Sequence, residues 1–149
     1  MTVSKRCFID TNLLVYARDP AEPGKQIIAR RWLAALQTSE SARISFQVIQ
    51  EFYNVVTRKL SPGLAITTAR ADVEDFLKWH PVATTPALIK TAWQIQDDYR
   101  LSWWDCLVMA AAQHAKCDIL LSEDFSAGQD YDGVRVINPF ATEPSDVLR

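Results

Sequence analysis

Four acidic residues occupy positions in this 149-residue sequence where side chains often do chemistry. Asp10 and Asp124 each come at the end of a short apolar run that is typical of a buried strand. Glu51 and Asp105 each lie near the start of an apolar-periodic segment that is typical of a helix. Ligands of open α/β sheets bind beyond the carboxyl ends of the strands, so all four carboxylates are expected at that edge.

Carboxylates that converge in this way repel one another. Two of them about 5 Å apart repel by roughly 3 kcal/mol at an effective dielectric constant of about 20. Several such pairs would raise some carboxyl pKa values or require a cation. A site made only of oxygen ligands suits Mg²⁺ or Mn²⁺, which keep bound waters and are completed by a substrate phosphate. The pattern is therefore typical of phosphodiester hydrolysis by a water that the metal ion aligns and activates.

Other common catalytic and metal-binding patterns do not occur in the sequence. With four glycines, neither a dinucleotide-binding G-x-G-x-x-G motif nor a P-loop can be written. Two histidines without a C-x-x-C pair do not make the ligand pattern of a structural zinc site. Cys106 and His114 are eight residues apart on one predicted helix. That spacing is about 12 Å of helical rise, too far for a nucleophile and its base.

Each acid also has a purely structural interpretation. Asp10 could cap a helix, and Ser102 with Asp105 forms a capping-box pattern. Glu51 could be a solvated helix residue and Asp124 a turn former. Taken singly these interpretations are favoured. Against them, Asp10 directly follows an apolar strand and Asp105 lies among apolar residues, where an unpaired carboxylate is costly to desolvate.

The apolar periodicity predicts an α/β fold in which helices cover both faces of a short, parallel central sheet. Strands are predicted at 6–9, 43–46, 82–83, 118–122 and 134–137. Helices are predicted at 26–36, 48–60, 66–79, 86–99 and 102–115. Residues 142–149, which we call the C-terminal tail, are predicted to be frayed. We find no internal repeat or linker, so residues 1–149 are expected to form a single domain.

The composition of the chain limits which cellular compartments and which classes of partner are expected. The net charge of −2 gives no overall attraction to nucleic acid, and 48% hydrophobic with 23% charged residues is an ordinary globular mixture. The sequence has no apolar run long enough to span a membrane and no apolar stretch of a secretory signal near its start. The three cysteines are scattered and odd in number, unlike a disulfide framework. A cytoplasmic protein is expected.

Several motifs in the sequence resemble those of the PIN-domain nucleases, with the greatest likeness to the VapC-type toxins of bacterial toxin–antitoxin pairs. The motifs occur in the family's order and together span about residues 7–140. They are Phe-Ile-Asp-Thr-Asn at 8–12, Gln-Glu-Phe at 50–52, Leu-Ser-Trp-Trp-Asp-Cys-Leu at 101–107, Leu-Ser-Glu-Asp-Phe at 121–125 and Val-Ile-Asn-Pro-Phe at 136–140.

The resemblance implies a site for Mg²⁺ or Mn²⁺ made by an acidic quartet: Asp10, Glu51, Asp105 and Asp124. Asp10 and Asp105 are expected to touch the metal most directly, and the other two through water or a second ion. Thr11 and Asn12 match polar residues that help to hold the site, and Glu123 is a possible substitute for its neighbour in the quartet. The resemblance also implies an RNA substrate, a homodimer and a cognate antitoxin that blocks the active-site groove.

Two other functions stay open from the residues alone. An aspartyl-phosphate phosphatase would use Asp10 as its nucleophile, but that chemistry usually needs a second Asp where this sequence has Asn12. A binding module could grip RNA or a partner protein without cutting it. The acidic quartet argues against the binding module, because uncompensated carboxylates repel phosphate.

Basic and aromatic residues are less informative. Six basic residues near the first two acids are candidates for phosphate contacts, although a solvated helix surface is the preferred interpretation: Arg18, Lys25, Arg30, Arg31, Arg58 and Lys59. Four tryptophans are predicted in the core: Trp32, Trp79, Trp93 and Trp103. Trp104 is also expected to pack, but its place beside Asp105 makes it the one to test for base stacking.

Overall fold

The computed structural model describes residues 5–148. Its helices, labelled α1–α6 in chain order, are Thr11–Tyr16, Pro23–Ser39, Phe46–Arg58, Ile66–Phe76, Pro86–Asp98 and Trp103–His114. Its strands, labelled β1–β5, are Cys7–Ile9, Ala42–Arg43, Ile119–Leu121, Asp130–Tyr131 and Val134–Ile137. A short 3₁₀ helix, Pro144–Asp146, follows the last strand.

The five strands form one sheet in the order β2-β1-β3-β5-β4. Strand β1 pairs in parallel with both β2 and β3, and β3 pairs in parallel with β5. The short β4 is antiparallel to β5. The first strand of the chain therefore lies inside the sheet, and the parallel strands end at one common edge, which we call the carboxyl edge. The predicted α/β class is confirmed.

The two inner strands explain why helices flank the sheet. Every residue of β1 and β3 is buried. Successive side chains of a strand point to opposite faces, so this pattern requires cover on both faces. Helices α2, α3 and α6 contribute fully buried side chains to the core, including Trp32, Phe52 and Met109. The predicted arrangement, a short parallel sheet between helices, is confirmed.

Three short elements differ from the sequence prediction. The second strand is only Ala42–Arg43, because α3 already begins at Phe46, with the hydroxyl of Ser45 as its N-cap. The predicted strand at 82–83 is a single bridge between Ser45 and Val82. The antiparallel Asp130–Tyr131 strand was not predicted. All three elements are too short for the apolar periodicity of the sequence to define. Their bounds depend instead on the neighbouring strands and on the helix N-cap.

The prediction that the C-terminal tail is frayed is wrong for the part that the structure describes. The indole Nε1–H of the buried Trp32 donates to the carbonyl oxygens of Pro139 and Thr142, over 2.8 and 3.1 Å. Pro144 and Val147 are themselves buried. A buried indole N–H needs an acceptor, and the tail supplies one. The final residue of the chain lies outside the described residues.

The described residues include all three cysteines and six α-helices. The three cysteines are free and buried, and burial raises the pKa of the Cys7 and Cys117 thiols to about 12. Of the helices within residues 5–148, none combines the length and apolar character needed to cross a membrane.

Candidate active site

Asp10 lies where β1 ends and α1 begins. Because Ile9 pairs with Leu121 in the sheet, the next residues of the two strands, Asp10 and Ser122, are neighbours at the carboxyl edge. The Ser122 hydroxyl donates to Asp10 Oδ2 over 2.7 Å. The backbone N–H of Thr11 donates to Asp10 Oδ1 over 2.8 Å, so the carboxylate also caps α1. The structural role expected as an alternative is therefore real, and it coexists with a place in the site.

The surroundings of Asp10 raise the pKa of its carboxyl group above the value of a solvated Asp. The residue is 5% exposed. Burial raises its pKa from 3.8 to about 6, against the opposing effect of the hydrogen bonds from Ser122 and Thr11. The charges of Asp124 and Asp105 raise this pKa further. A buried carboxylate beside two other acids is destabilised as an anion, and either a proton or a cation relieves it.

Glu51 reaches the same region from α3. The Ser45 hydroxyl accepts a backbone N–H at the start of this helix and so fixes where its first turns lie. The Thr11 hydroxyl donates to Glu51 Oε2 over 2.9 Å, and the Gln47 amide donates to Glu51 Oε1 over 3.1 Å. Both carboxylate oxygens are thus held in place, one of them by the residue that follows Asp10.

Asp105 enters from the first turn of α6. The Ser102 hydroxyl accepts the Asp105 backbone N–H over 3.2 Å, which is the N-cap half of the expected capping box. Burial raises the Asp105 pKa, a contact with Ser102 lowers it, and the charges of Asp124 and Glu51 raise it. The negative charges of Asp124, which follows β3, and of Glu51 on α3 therefore act on the Asp105 carboxyl group. Together with the charges that act on Asp10, they define an acidic cluster of four carboxylates.

Asp124 belongs to a turn that follows β3. Its backbone N–H donates to the Ser122 hydroxyl, and its Oδ2 accepts from the Asn12 amide, each over 3.1 Å. The Asn12 amide also donates to the Ser122 hydroxyl over 3.1 Å. Glu123 instead forms an ion pair with Lys25 over 2.8 Å. Of the two neighbouring acids, Asp124 is the one tied to the residues around Asp10.

Ser122 is the residue that the sequence analysis missed. It is fully buried, and its single hydroxyl contacts Asp10, Asn12 and Asp124. The available signal was a polar residue directly after an apolar strand, beside an acid already singled out. Recognising it required the register of β1 against β3, which periodicity does not define.

The donor chemistry at this edge suits a divalent cation of the Mg²⁺ type. Within residues 5–148, no three side chains of Asp, Glu, His or Cys are grouped as ready metal ligands. Three of the four carboxylates accept hydrogen bonds from neighbouring hydroxyl or amide groups instead. However, the buried Asn12 Oδ1 has no hydrogen-bond partner. A buried acceptor needs a donor or a cation, and every side-chain acceptor here is an oxygen, the ligand that Mg²⁺ prefers.

Most of the basic residues considered for phosphate contacts have other partners. The ion pairs are Arg18 with Asp72, Lys25 with Glu123 and Arg31 with Glu143. Arg30 donates from Nε to the Ala17 carbonyl oxygen over 2.9 Å. Arg58 and Lys59 are exposed at the end of α3. Four of the six residues therefore have partners within the protein, and the solvated helix surface that was the preferred interpretation describes the other two.

An open cleft adjoins Glu51. Its volume is about 610 Å³, and its lining residues are Phe46, Gln47, Gln50, Glu51, Ala83, Thr84 and Trp104. Trp104 is 63% exposed, so the expectation that it packs in the core is wrong. Trp93 was also predicted in the core and is 54% exposed. Trp32 is fully buried as predicted, and the remaining two predicted core tryptophans, Trp79 and Trp103, are partly buried and pack against the hydrophobic core.

Comparison with known proteins identifies the fold family. The family model for the PIN domain matches residues 7–127. The chain belongs to the PIN domain family. No curated protein sequence matches the chain. The match contains all four acidic residues of the cluster, and it ends before the C-terminal tail that binds Trp32 in this PIN domain.

Two solved structures have the same fold as this PIN domain. A toxin–antitoxin complex from Klebsiella pneumoniae superposes with a TM-score of 0.63 at 15% identity, covering 89% of this chain and 97% of that one. VapC20 from Mycobacterium tuberculosis, a toxin that cleaves the sarcin–ricin loop, superposes with a TM-score of 0.58 at 19% identity. That second alignment covers 79% of this chain and 89% of the VapC20 chain.

Proposed function

We propose that the chain, as a single PIN domain in the cytoplasm, is a divalent-metal-dependent endoribonuclease and the toxin of a toxin–antitoxin pair. The observation that carries the proposal is the acidic cluster at the carboxyl edge. The charges of Asp124 and Asp105 act on Asp10, and those of Asp124 and Glu51 act on Asp105; burial, the larger cause, raises the pKa of Asp10 to about 6. Such an arrangement is costly for stability alone and is useful for holding a cation.

Asp10 and Asp105 are the proposed direct ligands of Mg²⁺ or Mn²⁺, and Glu51 and Asp124 act through water or on a second ion. When bound, the metal supplies activation of a water and relief of negative charge on the scissile phosphate. The chain's own polar groups orient the carboxylates. Thr11 holds Glu51 over 2.9 Å. The amide of Asn12 holds Asp124 and Ser122, and the Ser122 hydroxyl in turn holds Asp10.

The biological role is proposed from the motifs and the structural relatives together. One similar structure is a toxin–antitoxin complex, and the other is a toxin that cleaves the sarcin–ricin loop. They support RNA as the substrate and an antitoxin protein as a partner for this chain. The homodimer rests on the resemblance of the sequence motifs to VapC-type toxins.

An aspartyl-phosphate phosphatase is less well supported by the geometry. Both carboxylate oxygens of Asp10 accept hydrogen bonds, and the residue is 5% exposed, which leaves it poorly placed for nucleophilic attack. The position two residues later is Asn12, whose amide is bound to Ser122 and Asp124. A phosphoryl group trapped on Asp10 would restore this alternative.

The direct test is cleavage of total RNA by the purified protein, with Mg²⁺, with Mn²⁺ and with a chelator. Asp10→Asn should abolish cleavage, whereas the matched control Asp97→Asn, at an exposed position on α5, should leave it unchanged. The products should carry 5′-phosphate and 3′-hydroxyl ends, because water is the nucleophile. Cleavage in the chelator, or a 2′,3′-cyclic phosphate product, would overturn the mechanism. RNA binding without metal binding would instead support a binding module.

A further inference from the structure

The cleft beside Glu51 carries two exposed aromatic side chains. Phe46 is the first residue of α3 and is 40% exposed, and Trp104 lies in the first turn of α6 and is 63% exposed. Trp103, its neighbour in sequence, packs against the core. The core therefore uses one of the two adjacent tryptophans, and the other is left with its ring in solvent at the cleft.

The cleft also has polar groups that an apolar partner would leave unsatisfied. Gln50 is exposed, and Gln47 uses its amide N–H toward Glu51, which leaves its carbonyl oxygen available. Thr84, which also lines the cleft, adds a hydroxyl group. Aromatic faces together with amide donors and acceptors match a nucleobase, which has a ring face to stack and polar edges to hydrogen-bond. The volume of about 610 Å³ lies within the usual range for small-ligand sites.

The cleft is continuous with the acidic cluster. Glu51 belongs to both, and Trp104 is directly followed in the chain by Asp105. A nucleotide bound in the cleft would thus have its phosphate next to the carboxylates. This continuity favours a segment of the substrate over a partner protein as the occupant.

We propose that the cleft is a binding site for one unpaired nucleobase of the RNA, stacked on Trp104, beside the phosphate that the acidic cluster acts on. This inference rests on the proposed nuclease function and adds a residue that selects single-stranded RNA at the cut site. Stacking recognises every base by its ring face, so Trp104 contributes affinity for an unpaired base, and the amides of Gln47 and Gln50 contribute base preference.

The test compares binding of two fluorescently labelled probes in Mg²⁺ buffer: single-stranded oligo(A) and an abasic oligonucleotide of equal length. All proteins carry Asp10→Asn, so that binding is measured without cleavage. Adding Trp104→Ala should weaken oligo(A) binding about tenfold, the usual effect of losing one stacked base. Trp104→Phe should restore most of the affinity. Trp93→Ala, which removes another exposed tryptophan (54% exposed) on α5, should change nothing.

The abasic probe separates stacking from any other effect of the substitution. It keeps the phosphates and lacks the rings, so Trp104→Ala should bind it as tightly as the parent protein does. Thermal unfolding should be unchanged by Trp104→Ala, because the side chain is exposed. The proposal is overturned if the parent protein does not bind oligo(A), if Trp104→Ala binds it as tightly as the parent, or if both probes lose affinity equally.

Two further results separate this inference from the nuclease proposal. Trp104-dependent binding of oligo(A), combined with no RNA cleavage under any metal by the protein that retains Asp10, keeps the base site and rejects the nuclease. Metal-dependent cleavage, combined with oligo(A) binding that Trp104→Ala leaves unchanged, keeps the nuclease and rejects the base site. If Trp104→Ala changes the oligomeric state in sedimentation while leaving RNA binding intact, the cleft is a protein interface and the base site is rejected.

Discussion

Replacing Asp10 by Asn should stabilise the metal-free protein at neutral pH. Burial raises the Asp10 pKa from 3.8 to about 6, so the folded protein holds its proton more tightly than the unfolded chain does. That difference is worth about 3 kcal/mol against the ionised folded state. Asn is neutral and removes this penalty, but it replaces a carboxylate that accepts two hydrogen bonds, which costs about 1 kcal/mol. The expected net gain is about 1–2 kcal/mol.

The gain should depend on pH in a defined direction. Because the folded pKa is the higher one, Asp10 contributes no penalty below its unfolded pKa, and the penalty grows as pH rises from about 4 to about 6. Asp10→Asn should therefore be slightly less stable than the parent at the acidic end and more stable at neutral pH. Urea unfolding in chelator, followed by tryptophan fluorescence across this range, measures the crossing. Asp97→Asn is the matched control and should show no such crossing.

Added Mg²⁺ should reverse the order of the two proteins. A metal at about 100 times its Kd stabilises the protein that binds it by about 2.7 kcal/mol, and the Asn variant should gain little. A variant that is less stable than the parent at every pH, by a constant amount, would refute the reasoning. It would show that Asp10 is an ionised helix cap whose charge the fold tolerates without a cation.

Two further substitutions and one labelling experiment test other parts of the structure. Trp32→Phe should cost about 2–4 kcal/mol in urea unfolding and expose the C-terminal tail to proteolysis, because the carbonyl oxygens of Pro139 and of Thr142 in the tail lose their donor. Ser122→Ala should cost about 1–3 kcal/mol and extend the pH-dependent loss of stability to higher pH, because it removes a hydrogen bond that lowers the folded Asp10 pKa. Cys7 and Cys117, buried with pKa values near 12, should react with a thiol reagent only as fast as the protein unfolds, and rapid labelling would contradict their burial.

The sequence predicted the architecture of the carboxyl edge better than its internal contacts. Asp10 and Asp124 follow strands whose apolar runs are unambiguous, and Asp105 sits in the first turn of a strongly apolar helix. Their convergence follows from the geometry of any parallel sheet. That they bind a metal stays a prediction. The roles of Ser122 and Gln47 depend on which atoms lie within hydrogen-bond distance, and this requires the register and the rotamers.

Tryptophan positions show where periodicity stops being informative. Trp32 and Trp104 both lie on helices with buried faces, yet one is fully buried and the other is 63% exposed. Periodicity describes one helix at a time, whereas burial also depends on what the next element places against it. The carbonyl oxygens of Pro139 and Thr142 accept from the indole N–H of Trp32, whereas Trp104 lines an open cleft. The frayed-tail prediction failed for the same reason, because a polar segment is ordered when a buried donor needs it.

The inner position of β1 in the sheet links completion of the acidic cluster to the synthesis of later parts of the chain. The hydrogen bond from Ser122 to Asp10 joins residues 112 positions apart, and β1 cannot gain its partner β3 until that late segment has been synthesised. Long-range pairings of this kind form slowly, because the intervening chain must first be brought together. A nascent chain that still lacks β3 has no Asp124. It also lacks the pairing of β1 with β3 that places Ser122 beside Asp10 at the carboxyl edge. Under the proposed function, a nascent chain or a truncated product that ends before β3 should therefore be inactive toward RNA.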